Sequence, residues 1–427
     1  MAGKVIIERD AAATTEQRAT TTWRRSSQHV RGGYFWFYAA IGAFTPFTAL
    51  YFRDLGFSGL QIGVLTALPS LGVAVFGPLW GAVSDSLAIH RLVLRVALAL
   101  AALLALAASR VSEFASLLPL MALLAFAAVP VGPLLDSYGV TISERLGQSY
   151  GRLRVWGSLG FMVMVLVVGR LMGDRVSSLM LVAYAVCLAL TFLFVAGIPP
   201  LAERRPRSLL GGLRDIARNR PLTLLLLVAY LLSSGGAIMY IFLGIRIQEI
   251  GGSANIVGVA FALSAVSELP VVAFGGWLLH RLGAIRLITV ALCVYIVRFA
   301  AFSTISEPEW MLPVQLLHGL SFGAFLMASV PLAHRLAGIE HAATAQALLT
   351  AMSFGFGSIT GSIVGGAFLD RIGTVGLFRG AALLMVAALG VLIAGDRIVG
   401  LDRRGQPGGE VPTSPAGERQ TIPRPRS

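Results

Sequence analysis

Twelve apolar stretches of about 18–25 residues recur along this chain, each long enough for a helix to cross a bilayer core of ~30 Å. They cover approximately 33–52, 59–83, 92–109, 114–137, 153–173, 178–198, 221–245, 255–279, 284–304, 309–333, 345–368 and 375–395. Backbone groups in hydrocarbon find no water, so each N–H and C=O must be satisfied within its own segment, which makes these stretches helices. The alternation that marks a transmembrane barrel strand is missing. Hydrophobic residues make up 56% of the 427 and charged residues only 13%, which excludes a soluble globular domain. The expected fold class is an all-α polytopic membrane protein with twelve transmembrane helices.

Three ionisable residues sit near the middles of these spans: Glu268, Arg298 and His318. A charge at that depth costs roughly 2.5–3.5 kcal/mol on insertion scales, so it must pair, face a wet cavity or do work. An acid, a permanent cation and a titratable imidazole on three successive spans point to a proton-linked polar pocket. Cys187 and Cys293 both lie inside spans and read as small apolar fillers. No disulfide framework or metal site follows from them, and no second His or Cys stands at ligand spacing from His318.

The net charge of +13 suggests nucleic acid until its distribution is examined. With the spans placed as above, 26 of the 34 Lys and Arg fall on the side that carries both termini and six on the other, with Arg298 and Arg379 inside spans. That asymmetry is the positive-inside pattern and puts both termini in the cytoplasm of a bacterial inner membrane. No nucleic-acid partner is expected; membrane lipids are. Residues 1–32 and 396–427 read as disordered tails, and a cleavable signal is not expected at the first span.

The polar segment 199–220 divides the spans into 33–198 and 221–395, six in each. The two parts echo each other. Between spans 2 and 3 stand Gly81, Asp85 and Arg91; between spans 8 and 9 stand Gly276, His280 and Arg281. Phe76-Gly77 and Phe274-Gly275 precede the two loops. An internal repeat of six spans is a mark of secondary transporters. The loop Gly-x-x-x-Asp followed by Arg resembles the signature between spans 2 and 3 of the major facilitator superfamily, with Ser86 and Ala88 departing from it. The string Tyr150-Gly-Arg152-Leu-Arg154-Val-Trp156-Gly157-Ser158-Leu-Gly-Phe161 resembles the same junction in phenylpropionate permeases and, more distantly, lactose permease and nucleoside:proton symporters. Pro133-Leu-Leu-Asp136, Ser267-Glu268, Val297-Arg298-Phe299 and Val314-Gln315-Leu-Leu-His318 are further echoes.

The resemblance implies two pseudo-symmetric six-helix bundles and proton-coupled import of a small organic solute (an aromatic acid, a nucleoside or a sugar) by a monomer without a cofactor, the proton being the coupling ion. A buried carboxylate whose proton affinity rises with burial suits that coupling. Glu268 is the expected carrier and Arg298 its conditional partner; the alternative is a static bridge between spans 8 and 9. Gln315, His318, Phe322 and Phe325 share a helix face. In lactose permease a carboxylate lies one turn beyond the corresponding histidine; here that position is Ser321, so Glu268 or Asp136 must carry more of the coupling. Asp136 and Arg154 form the matching pair of the first half, either lining the cavity or bridging spans 4 and 5. Tyr295, Arg298 and Phe302 share a face of span 9, and an Arg among aromatics suits a solute carboxylate. The aromatics from Tyr34 to Tyr38 read mainly as an interfacial belt. Asp85 and the loops around it are expected to gate the cytoplasmic side. The glycines of span 11, Gly355 to Gly366, read as a seam for close packing within the chain.

Two other readings are weighed. Drug:proton antiporters of the same superfamily carry a Gly-Pro motif in span 5, and residues 155–173 contain no proline. A membrane enzyme needs a nucleophile–base set or metal ligands at depth, which a lone His318 does not supply.

Overall fold

The computed structural model describes residues 23, 25–86, 89–173, 176–198 and 219–400. Among them there is no strand. The helices run α1 (Arg25–Asp54), α2 (Gly59–Ser86), α3 (His90–Ala108), α4 (Phe114–Leu146), α5 (Gly151–Met172), α6 (Leu179–Ala196), α7 (Arg220–Glu249), α8 (Ala254–Leu282), α9 (Ala284–Thr304) and α10 (Pro308–Ala337). A final helical stretch, Ala342–Val399, is broken at Gly373 into α11 (342–372) and α12 (374–399). Gly373 has φ 64°, a conformation that glycine adopts without a Cβ clash, and it turns the chain between two spans with no loop. Among the described residues, twelve membrane-length helices result, as the run lengths predict.

Helix α1 begins at Arg25, inside the stretch read as a disordered tail, because tertiary contacts hold it. Ser26 and Ser27 are buried, His29 lies edge-on to Phe194 of α6, and Arg145 covers the Trp23 ring. At the other terminus α12 continues to Val399. The central segment 199–218 lies outside the described residues. Asn219 caps α7: its Oδ1 accepts from the Leu222 N–H at 3.1 Å, with Pro221 at the helix start.

Within the first half α3 packs on α4 and α6, and α2 on α4; within the second, α7 packs on α11 and α12, and α9 on α10 and α12. The halves meet through α2 against α11, α5 against α8, and α1 against α7. These contacts lie between the midplane and the end remote from Arg25 and Val399, called the far end below. They are close because glycines remove side chains. A Cβ on Gly63 would stand 3.1 Å from the Cα of Gly366, and one on Gly258 would stand 2.7 Å from the Val165 carbonyl oxygen. The span 11 glycines thus serve packing within the chain, with Gly357 and Gly361 against α7 and Gly366 against α2. Arg53 pairs with Asp370 at 2.8 Å across the far end, Asp370 Oδ2 accepts the Gly59 N–H at 2.6 Å, and Gln248 Nε2 donates to Asp54 at 3.1 Å. The far end is closed; the end that carries Arg25 and Val399 is the near end.

Candidate functional site

Among the described residues each half carries a buried polar cluster at mid-depth. In the second half the cluster forms where α8, α9 and α10 meet. Arg298 has no exposed surface and points inward from α9, as its lipid-exposure cost demands. Its Nη2 donates to Gln315 Oε1 at 2.7 Å, and its Nη1 donates to Ser321 Oγ at 2.7 Å. The same Nη1 lies 3.2 Å from His318 Nδ1. Tyr295 and Phe302, one helical turn to either side, place their ring centroids 5.7 Å from the guanidinium carbon. Across the cluster, His318 Nε2 meets Glu268 Oε1 at 3.0 Å. Glu268 stands midway along α8, and its side chain keeps 35% of its surface exposed against 12% for His318. The imidazole stacks on Phe322, which meets Phe354 of α11 edge-on.

The expected direct pair of Glu268 with Arg298 is therefore replaced by a three-membered chain, Glu268–His318–Arg298. The physical reason is α10, which interposes His318, Gln315 and Ser321 between α8 and α9. A histidine–carboxylate pair exists after all, but it spans two helices instead of one turn of α10. Ser321, which stands where that turn would need a carboxylate, serves Arg298.

Hydrogen-bond chemistry fixes the proton positions. A guanidinium has donors only, so His318 Nδ1 accepts and the imidazole carries its hydrogen on Nε2, donating to Glu268. A second proton on the ring would set N–H against N–H at Arg298.

The helices are shaped for this contact. In α10 the N–H groups of Leu316 and Leu317 bond three residues back, and Gly319–Gly323 forms a π-helical turn. Such turns recur at functional sites. A second one, Ala351–Gly357, lies in α11.

In the first half, Asp136 of α4 accepts from the hydroxyls of Tyr34 and Tyr150, both at 2.8 Å. Arg154 does not pair with it. Its guanidinium lies 3.9 Å over the ring of Tyr38, in space that Gly157 leaves open. The expected Asp136–Arg154 pair is absent because two phenols occupy the carboxylate and a third draws the cation away. Tyr34 is fully buried, so it belongs to this cluster and not to an interfacial belt.

The gating residues divide. The surroundings of Gly81 and the side chain of Asp85 lie outside what the structure describes. Arg91 does not reach the other half: with Arg95 it donates to the Ala196 carbonyl, at 2.7 and 2.8 Å, and caps the C-terminus of α6. Arg281 covers Trp277 of its own helix, and Gly276 and His280 are exposed. The sequence reading names Ser267, Ser321 and Tyr150 without giving them a part in the site, and it leaves out the roles of Tyr34 and Tyr38. The i, i+4 spacing of Tyr34 and Tyr38, which puts two phenols on one face of α1, is the signal that was available.

Twelve described helices in two bundles, closed at one end and enclosing ionisable residues at mid-depth, have the architecture of the major facilitator superfamily. The chain belongs to the MFS_1 like family, whose model matches residues 28–380. It is similar to the maltose permease of Geobacillus stearothermophilus, with 31% identity over 370 residues covering 84% of this chain and 93% of that one. It is also similar to the probable 3-phenylpropionic acid transporter of Escherichia coli (strain K12), with 28% identity covering 86% and 97% of the two chains. The crystal structure of the nucleoside transporter NupG superposes with a TM-score of 0.76 at 20% identity, covering 87% of this chain and 98% of that one, and so shares the fold. This is an integral membrane protein of a permease family, and its relatives are transporters, not enzymes.

Proposed function

We propose that this permease is a proton-coupled symporter that imports a small, uncharged, hydroxyl-bearing solute by alternating access. The observation that carries the coupling is the Glu268–His318–Arg298 chain: Arg298 occupies Nδ1, His318 donates from Nε2, and only Glu268 keeps a free, exposed site for a proton. The charge asymmetry of the sequence supports cytoplasmic termini in a bacterial inner membrane, so the near end opens inward.

The same geometry bears on the solute. Arg298 is sealed, and its Nη groups are bound to Gln315, Ser321 and His318. Its Nε–H has no partner but is buried, so it is closed off from a solute carboxylate in this state. The accessible charge beside the aromatic wall of Phe322 and Phe354 is Glu268, an acceptor for hydroxyl donors. A sugar or nucleoside fits that chemistry, and the maltose permease relative agrees with it. A second reading rests on Arg154, which has no ion pair among the described residues and could meet an aromatic acid from the first half.

Proteoliposomes holding the purified protein decide between these readings. Radiolabelled maltose, uridine and 3-phenylpropionate are offered with and without an inward proton gradient. Symport requires that solute addition make the external medium more alkaline. External acidification indicates antiport and export. Uptake of 3-phenylpropionate alone moves the site to Arg154.

A further inference from the structure

Directly beside the Glu268–His318 pair, the preceding residue of α8 meets the following residue of α10. Ser267 Oγ accepts the backbone N–H of Gly319 at 2.9 Å and donates to the Ser264 carbonyl at 2.7 Å. Gly319 opens the π turn of α10, just past the two residues bonded three back. Irregular backbone at membrane depth persists only where neighbouring groups, serine hydroxyls among them, satisfy it. The approach is as tight as two helices allow. A Cβ on Gly319 would run into the Ser267 carbonyl and stand 3.1 Å from the Glu268 backbone nitrogen. Two contacts in adjacent register, 267 to 319 and 268 to 318, thus clamp α8 to α10 at the proton pair.

We propose that Ser267 is a positioning residue for proton coupling: its hydroxyl pins the irregular turn of α10 against α8 and so holds His318 Nε2 on Glu268. This rests on the reading of Glu268 as the proton carrier. The groups that face the pair are Arg298 and Tyr295 from α9, Tyr240 from α7, and Ser321 and Gln315 from α10. Of these groups only Arg298 carries a charge, and it touches the far side of His318. Nothing else among the described residues substitutes for the Ser267 contact.

The direction of the effect follows from what His318 does. Its N–H stabilises the Glu268 carboxylate. If Ser267→Ala frees the α10 turn, that donor drifts away and the carboxylate holds its proton more tightly. The titration of Glu268 then moves to higher pH, by half a unit or more, which is about a threefold gain in proton affinity. Ser267→Thr keeps the hydroxyl and restores the original midpoint.

The test needs no solute. Infrared difference spectra of the protein in lipid vesicles, taken as pH is stepped, read the carboxylic C=O stretch. The band absent from Glu268→Gln belongs to Glu268. Its midpoint is expected to move alkaline in Ser267→Ala and to return in Ser267→Thr. A Glu268 band whose midpoint is the same in wild type and Ser267→Ala overturns the positioning role and leaves Glu268 as carrier. Spectra with no titrating band that Glu268→Gln removes overturn the carrier reading itself. Where Ser267→Ala fails to reconstitute, Ser267→Cys replaces it. A thiol is the weaker acceptor, so a smaller alkaline shift is expected, and an unchanged midpoint overturns the proposal equally.

Discussion

The two halves hold their charges in opposite ways. In the second half, cation and carboxylate are joined through an imidazole, so a proton gained at Glu268 changes what His318 and Arg298 can bond. In the first half, Asp136 is bound by two phenols and Arg154 lies on a third. Among the described residues no imidazole links that carboxylate to that cation. A carboxylate beside a titratable relay can be a switch, and one beside fixed donors is an anchor. On the proposed reading the chain places one of each in its two halves.

The largest test of this contrast is Glu268→Gln. One proton crossing 100 mV contributes about 2.3 kcal/mol, roughly fifty-fold accumulation. The variant is expected to lose pH-driven accumulation altogether while still exchanging solute between loaded vesicles, since exchange needs no net proton movement. Concentrative uptake by this variant would place the switch elsewhere, with Asp136 next.

Arg298→Met comes second. It leaves Gln315 and Ser321 buried without their donor, at a cost of about 1–3 kcal/mol. A lowered melting temperature in detergent is expected, together with loss of uptake. Retained uptake would mean that the tautomer of His318 is set without Arg298.

Asp136→Asn keeps an oxygen for Tyr34 and Tyr150 and loses mainly charge assistance, about 1 kcal/mol. The expectation is weaker uptake at an unchanged accumulation ratio. A collapsed ratio would make both carboxylates switches and end the comparison. Tyr38→Leu is the mildest. Loss of the cation–π contact under Arg154 is worth about 0.5–1 kcal/mol, a two- to five-fold change in apparent affinity if Arg154 touches the solute. Unchanged affinity across the maltose, uridine and 3-phenylpropionate panel would confine Arg154 to a structural role.

The fold was legible because one quantity, the length of an apolar run, decides whether a segment spans. The inward direction of Arg298 was legible too, since the lipid cost leaves no alternative. Partner choice was not. Which side chain Glu268 reaches depends on how far α10 slides against α8 and α9, and that is set by Gly319 and a π turn that no periodicity announces. The same limit hid Tyr150, whose hydroxyl reaches Asp136 from outside its own helix. The residue types that build the pocket were visible; their pairings depend on offsets of an ångström or two between helices.

The far-end closure has a consequence for the protein's evolution and engineering. Its seam at Gly63, Gly258 and Gly366 is defined by atoms that are absent, so these positions have no neutral neighbours in sequence space. Substitutions there act with one sign. Each adds bulk to the seam and pushes the far end apart. If the chain alternates access as proposed, single-nucleotide changes at these glycines are expected to favour the opposite-facing state, a form suited to crystallisation or binder selection.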